Sequence, residues 1–158
     1  GAEIGDAGAL AETARVTERD DDDHRAGVTA ARALRTARAG RETAALAACR
    51  AIHRYFLDSP SHCLAWVLMP DHAHWLVELT GLESLSNTVG ALKKAIATPV
   101  NSTRGRVGAR LWQAGFHDRA LRREDDVVDV ARYIVVNPIR AGLVSRVGDY
   151  PWWNAVWI

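Results

Sequence analysis

Two apolar runs, Trp66-Val67-Leu68-Met69 and Trp75-Leu76-Val77-Glu78-Leu79, face each other across Pro70-Asp71. Runs of β-branched and aromatic residues separated by a turn dipeptide predict an antiparallel pair over residues 62–69 and 72–79, the second strand ending at Thr80-Gly81. Side chains alternate along a strand, so Trp75, Val77 and Leu79 share one face, and His72 and His74, separated only by Ala73, project side by side from the other. Taken alone, a His-x-His pair is most simply two polar residues on a wet face. Opposite an apolar stripe, on a surface that another element must cover, it becomes half of a metal site.

Helical spacing organises the flanks. Leu46, Cys49, Arg50, His53 and Phe56 or Leu57 recur at that spacing and predict a helix over 42–57, stopping near Asp58-Ser59-Pro60. The stretch from Val28 to Ala39, rich in Ala and Arg, is open between strand and helix. Leu85, Val89, Leu92 and Ile96 mark the buried stripe of a second helix, with Ser84 or Ser86 as its cap and Pro99 beyond its end. Residues 101–110 read as a basic loop, and Leu111-Trp112-Gln113 opens another strand that runs on through Phe116 to Leu121. A last helix spans about Glu124 to Val136. Glu124, Asp125 and Asp126 complement its positive end, Val127, Val128, Ala131, Ile134 and Val135 form its stripe, and Pro138 ends it. Tyr133 and Asn137 fall together at one edge of that stripe. In isolation the pair reads as a boundary tyrosine and a helix-ending amide; together they can also present a phenol and an amide to one place.

Composition narrows the class. The 158 residues, 48% hydrophobic and 25% charged, suffice for one domain with a core, and no apolar run approaches a membrane span. No signal peptide is visible, and two cysteines, Cys49 and Cys63, suit a reducing, cytoplasmic setting as buried small hydrophobes. Residues 1–25 are polar, carry the acidic cluster Glu18 and Asp20 to Asp23, and read as a disordered tail; residues 26–158 read as the single domain. The net charge of +1 is uneven: Lys93, Lys94, Arg104, Arg106, Arg110, Arg119, Arg122 and Arg123 stand against Asp118 alone between 93 and 123. Such a segment is either a solvated face or the footprint of a polyanion, and its place between the histidine strand and the last helix favours nucleic acid.

Three ordered motifs carry a resemblance: Met69-Pro70-Asp71-His72-Ala73-His74-Trp75; Leu111-Trp112-Gln113 with Phe116-His117-Asp118-Arg119; and Tyr133-Ile134-Val135-Val136-Asn137-Pro138-Ile139-Arg140-Ala141-Gly142-Leu143-Val144. From residue 62 to 158 the chain resembles the REP-associated tyrosine transposases, HUH single-stranded DNA transposases with one catalytic tyrosine. That resemblance implies an α+β domain of ferredoxin-like HUH nuclease architecture, an antiparallel sheet carrying the His-x-His strand with helices packed on it.

By the same resemblance His72 and His74, with Asn137 as a third donor, would hold a divalent cation, Mg²⁺ or Mn²⁺, and Tyr133 would attack a DNA phosphate to give a 5′-phosphotyrosine. The partner would be single-stranded or hairpin DNA of repetitive extragenic palindromes, met by a monomer or a homodimer. The basic run and Arg140 would contact phosphates, while Trp112, Phe116 or the late tryptophans would stack unpaired bases. Trp152, Trp153 and Trp157 serve equally well as core residues. The departure from the family lies at the first strand: Gly27 to Ala33 keeps Val28-Thr29 but no aromatic residue, and Ala and Arg favour helix. A segment unable to complete the sheet would leave a hairpin-binding protein without nuclease activity. A metallohydrolase using the histidines on water is the other alternative.

Overall fold

The computed structural model describes residues 26–33, 40–80, 82–122 and 126–157. The expected tail over 1–25, the acidic pair Glu124 and Asp125, and Arg123 lie outside these residues. Five strands form one antiparallel sheet: β1 (Ala26–Arg32), β2 (His62–Leu68), β3 (His72–Glu78), β4 (His117–Ala120) and β5 (Trp153–Ala155), in the spatial order β4-β1-β3-β2-β5. The helices are α1 (Arg41–Asp58), α2 (Leu85–Thr103), α3 (Val127–Val135) and the single turn α4 (Asn137–Arg140). The α+β expectation holds.

The paired strands and α1 form where the pattern put them. At the centre of the sheet, Trp75, Leu76 and Val77 are all fully buried, because β3 is covered on both faces. One face carries Ala31, Ala73, Trp75 and Val77, packed on Ile52 of α1 and Leu92 and Ile96 of α2. The other carries Ala65, Val67 and Leu76, packed on Ala131, Ile134 and Val135 of α3.

One open alternative is settled and two expectations are corrected. Residues 26–32 form a strand, despite alanines and an arginine, because β1 is paired on both sides: Ala26 to Arg32 lie opposite Glu78 to His72, and Gly27 to Ala30 lie opposite Ala120 to His117. Strand preference reflects fit to neighbouring strands more than backbone bias, and the small Thr29 and Ala31 fit beneath the α1 and α2 layer. The first strand that the resemblance implies is therefore in place without aromatics.

Second, α2 continues through Pro99 to Thr103. Proline removes one intrahelical bond, but Ala95, whose carbonyl loses its donor, lines an open groove with Pro99 where water can serve it. Burial of Val100 and Asn101 holds the last turn. Third, Leu111-Trp112-Gln113 does not begin a strand: Trp112 makes one isolated bridge to Ala33, and the strand proper is β4.

Candidate active site

The histidines sit where β3 leaves its turn. Alternation places His72 and His74 on the face of Leu76, the face covered by α3, and in register His74 lies between Ala30 of β1 and Val67 of β2. Their ring centroids are 4.9 Å apart and the rings are nearly perpendicular, at 87°. Burial, and secondarily the charge of His72, pushes the His74 imidazole down to about 4, so near neutrality one ring nitrogen keeps its lone pair for a ligand.

His72 Nδ1 lies 2.7 Å from Asp71 Oδ1. That hydrogen bond is the main reason the Asp71 carboxyl is held below its ordinary range, with burial opposing and the charges of His72 and Arg32 assisting. An ionised carboxylate can only accept, which puts the proton on Nδ1 and leaves Nε2 as the donor atom toward a metal. The sequence reading took Asp71 for a turn residue alone; its position beside the first histidine was the available signal.

The last helix begins at an N-cap, Asp126, whose carboxylate accepts from the backbone N–H groups of Val128 and Asp129. The stripe Ala131, Ile134 and Val135 faces the sheet, which leaves Tyr133 at the helix edge, 37% exposed. The Arg140 guanidinium carbon stands 4.7 Å from the Tyr133 ring centroid, a cation–π contact made possible because α4 turns the chain back after Pro138. Asn137 Nδ2 donates to the carbonyls of Tyr133 at 3.1 Å and Ile134 at 3.0 Å. Two carbonyl partners identify that end of the amide as the NH₂, so Oδ1 is the end that remains for a cation. Asn137 thus closes the helix and keeps an oxygen for a ligand.

The C-terminal end of α3 is the end near the histidines. Leu143 donates its backbone N–H to Pro138 at 2.9 Å and lines the same cleft as His72. By strand alternation and the packing of α3 on Leu76, His72 and His74 share the side of the sheet on which α3, with Tyr133 and then Asn137, is packed. Register places a further motif residue on this face: His117 of β4 lies opposite Ala30, which lies opposite His74, so a third imidazole shares the face with one alanine between.

Among the described residues, no group of three or more histidines, cysteines and carboxylates is gathered to hold a metal ion. A cation here would rest on two neutral imidazoles and one amide oxygen, leaving positions open for phosphate oxygen and water. This donor set, with borderline nitrogen and hard oxygen, fits a divalent ion.

The basic residues divide. Lys93 Nζ donates to the carbonyls of Gln113 at 3.0 Å and Gly115 at 2.7 Å, and Trp112 Nε1 donates to the Lys93 carbonyl at 2.8 Å. This lysine straps the 113–115 loop to α2. Trp112 is 8% exposed and edge-on to Trp75, so the expected stacking platform is a core residue. Lys94 lines the groove between α1 and α2, in the helical layer on the far side of the sheet from the histidines. Arg119 shares the histidine face by alternation with His117. Arg104, Arg106 and Arg110 follow α2 at the end where Val100 and Leu111 line the His72 cleft. Arg122 lies just beyond β4.

Comparisons with known proteins identify the family and the fold. The family model described as "Transposase IS200 like" matches residues 35–137, a stretch that contains both histidines and Tyr133 and ends on Asn137. The REP-associated tyrosine transposase of Escherichia coli (strain K12) is 30% identical over 95 residues, which cover 60% of this chain and 54% of that protein. The match thus spans about half the length of that relative. A solved structure of a REP-associated tyrosine transposase bound to a REP hairpin superposes with a TM-score of 0.66 at 25% identity, covering 87% of this chain and 81% of that one. A putative transposase from Deinococcus radiodurans R1 shares the fold, with a TM-score of 0.53 at 18% identity over 75% of this chain and 95% of its own. The chain belongs to the IS200-like transposase family.

Proposed function

We propose that this protein is a metal-dependent single-stranded DNA endonuclease and strand transferase that cleaves and rejoins palindromic hairpin DNA through Tyr133. The observation that carries the reading is the placement of the histidine pair and the Tyr133–Asn137 helix end on one face of the sheet. The similar REP-associated transposase solved with a REP hairpin supports the choice of partner.

A divalent cation, Mg²⁺ or Mn²⁺, bound by His72, His74 and Asn137 would offset the negative charge of the phosphate. The chain's own groups do the rest. Asp71 fixes the orientation of His72, Asn137 ties its amide to the carbonyl of Tyr133, and the Arg140 guanidinium holds the phenol ring. The Tyr133 oxygen attacks phosphorus, losing its proton to solvent, as the bond to the 3′-oxygen breaks and that oxygen takes up a proton. The products are a 5′-phosphotyrosine and a free 3′-hydroxyl. Because the phosphoester bond is exchanged rather than hydrolysed, attack by a 3′-hydroxyl reverses the step and joins strands.

Strand exchange tests this reading. With Mn²⁺ and two labelled hairpin oligonucleotides of different length, the expected result is a recombinant strand together with a cleaved fragment bearing a 3′-hydroxyl. Fragments with free phosphates and no recombinant strand would indicate hydrolysis by water and overturn it.

A further inference from the structure

The histidine face carries a cation to which the cleavage chemistry above gives no part. Arg32 ends β1 and lies directly opposite His72 of β3. Residues opposed in an antiparallel pair point to the same face, so the two side chains stand next to each other. The pairing is of the close kind. The Ala33 N–H donates to the Asp71 carbonyl at 2.8 Å, which makes Ala33 and Asp71 a hydrogen-bonded pair and leaves Arg32 and His72 with Cα atoms about 4.5 Å apart. Burial agrees with this facing: Thr29 and Ala31 are sealed beneath the α1 and α2 layer, while Arg32 is exposed.

Its backbone is fixed on both sides. Beyond the bond from Ala33 to Asp71, the Arg32 carbonyl accepts from the Gln113 N–H at 2.9 Å. The root of the side chain is thus set before any ligand arrives. Among the described residues, no hydrogen bond or ion pair occupies the guanidinium. Asp71, the acid whose carboxyl feels the charge of Arg32, is engaged by His72 Nδ1 at 2.7 Å. Other cations are placed differently. Lys93 straps the 113–115 loop, Lys94 lies on the far side of the sheet, Arg140 stacks on Tyr133, and Arg119 lies opposite Val28 rather than a candidate ligand.

We propose that Arg32 binds the scissile phosphate, its guanidinium holding non-bridging oxygens on the β1 side of His72. The inference rests on the function proposed above and adds a second positive group to it. Charge supplies the reason. Two neutral imidazoles and an amide bring no charge of their own, so a divalent cation alone would face the phosphate. As the Tyr133 oxygen bonds to phosphorus and the bond to the 3′-oxygen breaks, the phosphoryl oxygens carry the charge that fixed cations stabilise best. A planar guanidinium matches two oxygens of one phosphate with paired N–H donors and stays charged at any working pH. Arg32 gives up no proton in this step; bonds and protons move as described above.

Neutralising one phosphate tests the contact. The cleavage position is mapped with the unsubstituted protein and Mn²⁺, and that phosphate is then replaced by an uncharged methylphosphonate. Binding is measured in Mn²⁺ with Tyr133→Phe protein, which leaves the DNA intact. The loss of affinity on replacement should be about ten-fold or more larger with Arg32 present than with Arg32→Gln, because the cation's share is common to both. Arg32→Lys, which keeps the charge without the fork, should fall between them, and it carries the comparison if Arg32→Gln lowers the urea midpoint. With Tyr133 intact, Arg32→Gln should slow adduct formation and leave Mn²⁺ affinity by calorimetry in place. An equal loss in both proteins would overturn the phosphate contact and leave the proposed function standing. Weakened Mn²⁺ binding in Arg32→Gln would also overturn it, by showing that Arg32 acts through Asp71 on His72. Absence of hairpin binding or cleavage by the unsubstituted protein would remove the proposed function and the contact with it.

Discussion

The two faces of the central strand differ by one residue of register and by everything that covers them. On one face Ala73, Trp75 and Val77 are sealed by α1 and α2, of 18 and 19 residues. Helices of that length run about 27 Å, enough to cover a seven-residue strand of about 23 Å from end to end. On the other face α3 has only 9 residues and covers about 14 Å. Leu76 falls beneath it, and His72 and His74 fall beyond it. The candidate active-site surface is the part of the sheet that a short helix leaves open, with Tyr133 and Asn137 at the end of that helix. The same strand gives both core clusters a residue, Trp75 to one and Leu76 to the other, and carries the two candidate ligands His72 and His74 where α3 ends.

Substitutions on the two faces should therefore separate stability from chemistry. The largest stability effect belongs to the sealed face: Leu92→Ala should cost about 2–5 kcal/mol, read as a lowered midpoint in urea unfolding, and an unchanged midpoint would show that this layer is not tightly packed. His74→Ala on the open face should leave that midpoint nearly in place while removing Mn²⁺ binding by calorimetry. If it instead unfolds the protein, the open face is structural and the contrast fails. Next in size is Asp71→Asn, which removes the charged acceptor for His72 and should weaken Mn²⁺ binding about 10- to 100-fold; unaltered affinity would show that His72 is oriented without it. The smallest effect is expected at the border, where Asp126→Ala removes the α3 cap at a cost of about 1 kcal/mol. Thermal unfolding checks the cost, and no shift would mean that α3 is held by packing alone.

Much of this contrast was legible in the sequence because it depends on local periodicity. Alternation around Pro70-Asp71 gave both strands and the facing of His72 and His74, and helical spacing gave the stripe of α3 with Tyr133 and Asn137 at its edge. What stayed hidden depends on partners distant in sequence. β1 is a strand because β3 and β4 hold it on both sides, which no reading of Ala-Ala-Arg reveals. Lys93 looked like a phosphate contact, and only the folded loop shows its ammonium tied to Gln113 and Gly115. Trp112 carries the same aromatic label whether it stacks a base or fills a core, and contact with Trp75 decides for the core. His117 reaches the face of His74 through two strand pairings, a relation visible only once the sheet order is known.

The central claim is that Tyr133, at the border of the open face, forms the covalent bond to DNA. Its most direct test is to incubate the protein and its Tyr133→Phe variant with Mn²⁺ and a labelled hairpin carrying single-stranded flanks, then separate the products on a denaturing protein gel. Label that travels with the unsubstituted protein and is absent from the variant, with hairpin affinity equal in both, is the expected result. Cleavage that persists in the variant, or cleavage by either protein without a labelled adduct, would contradict it.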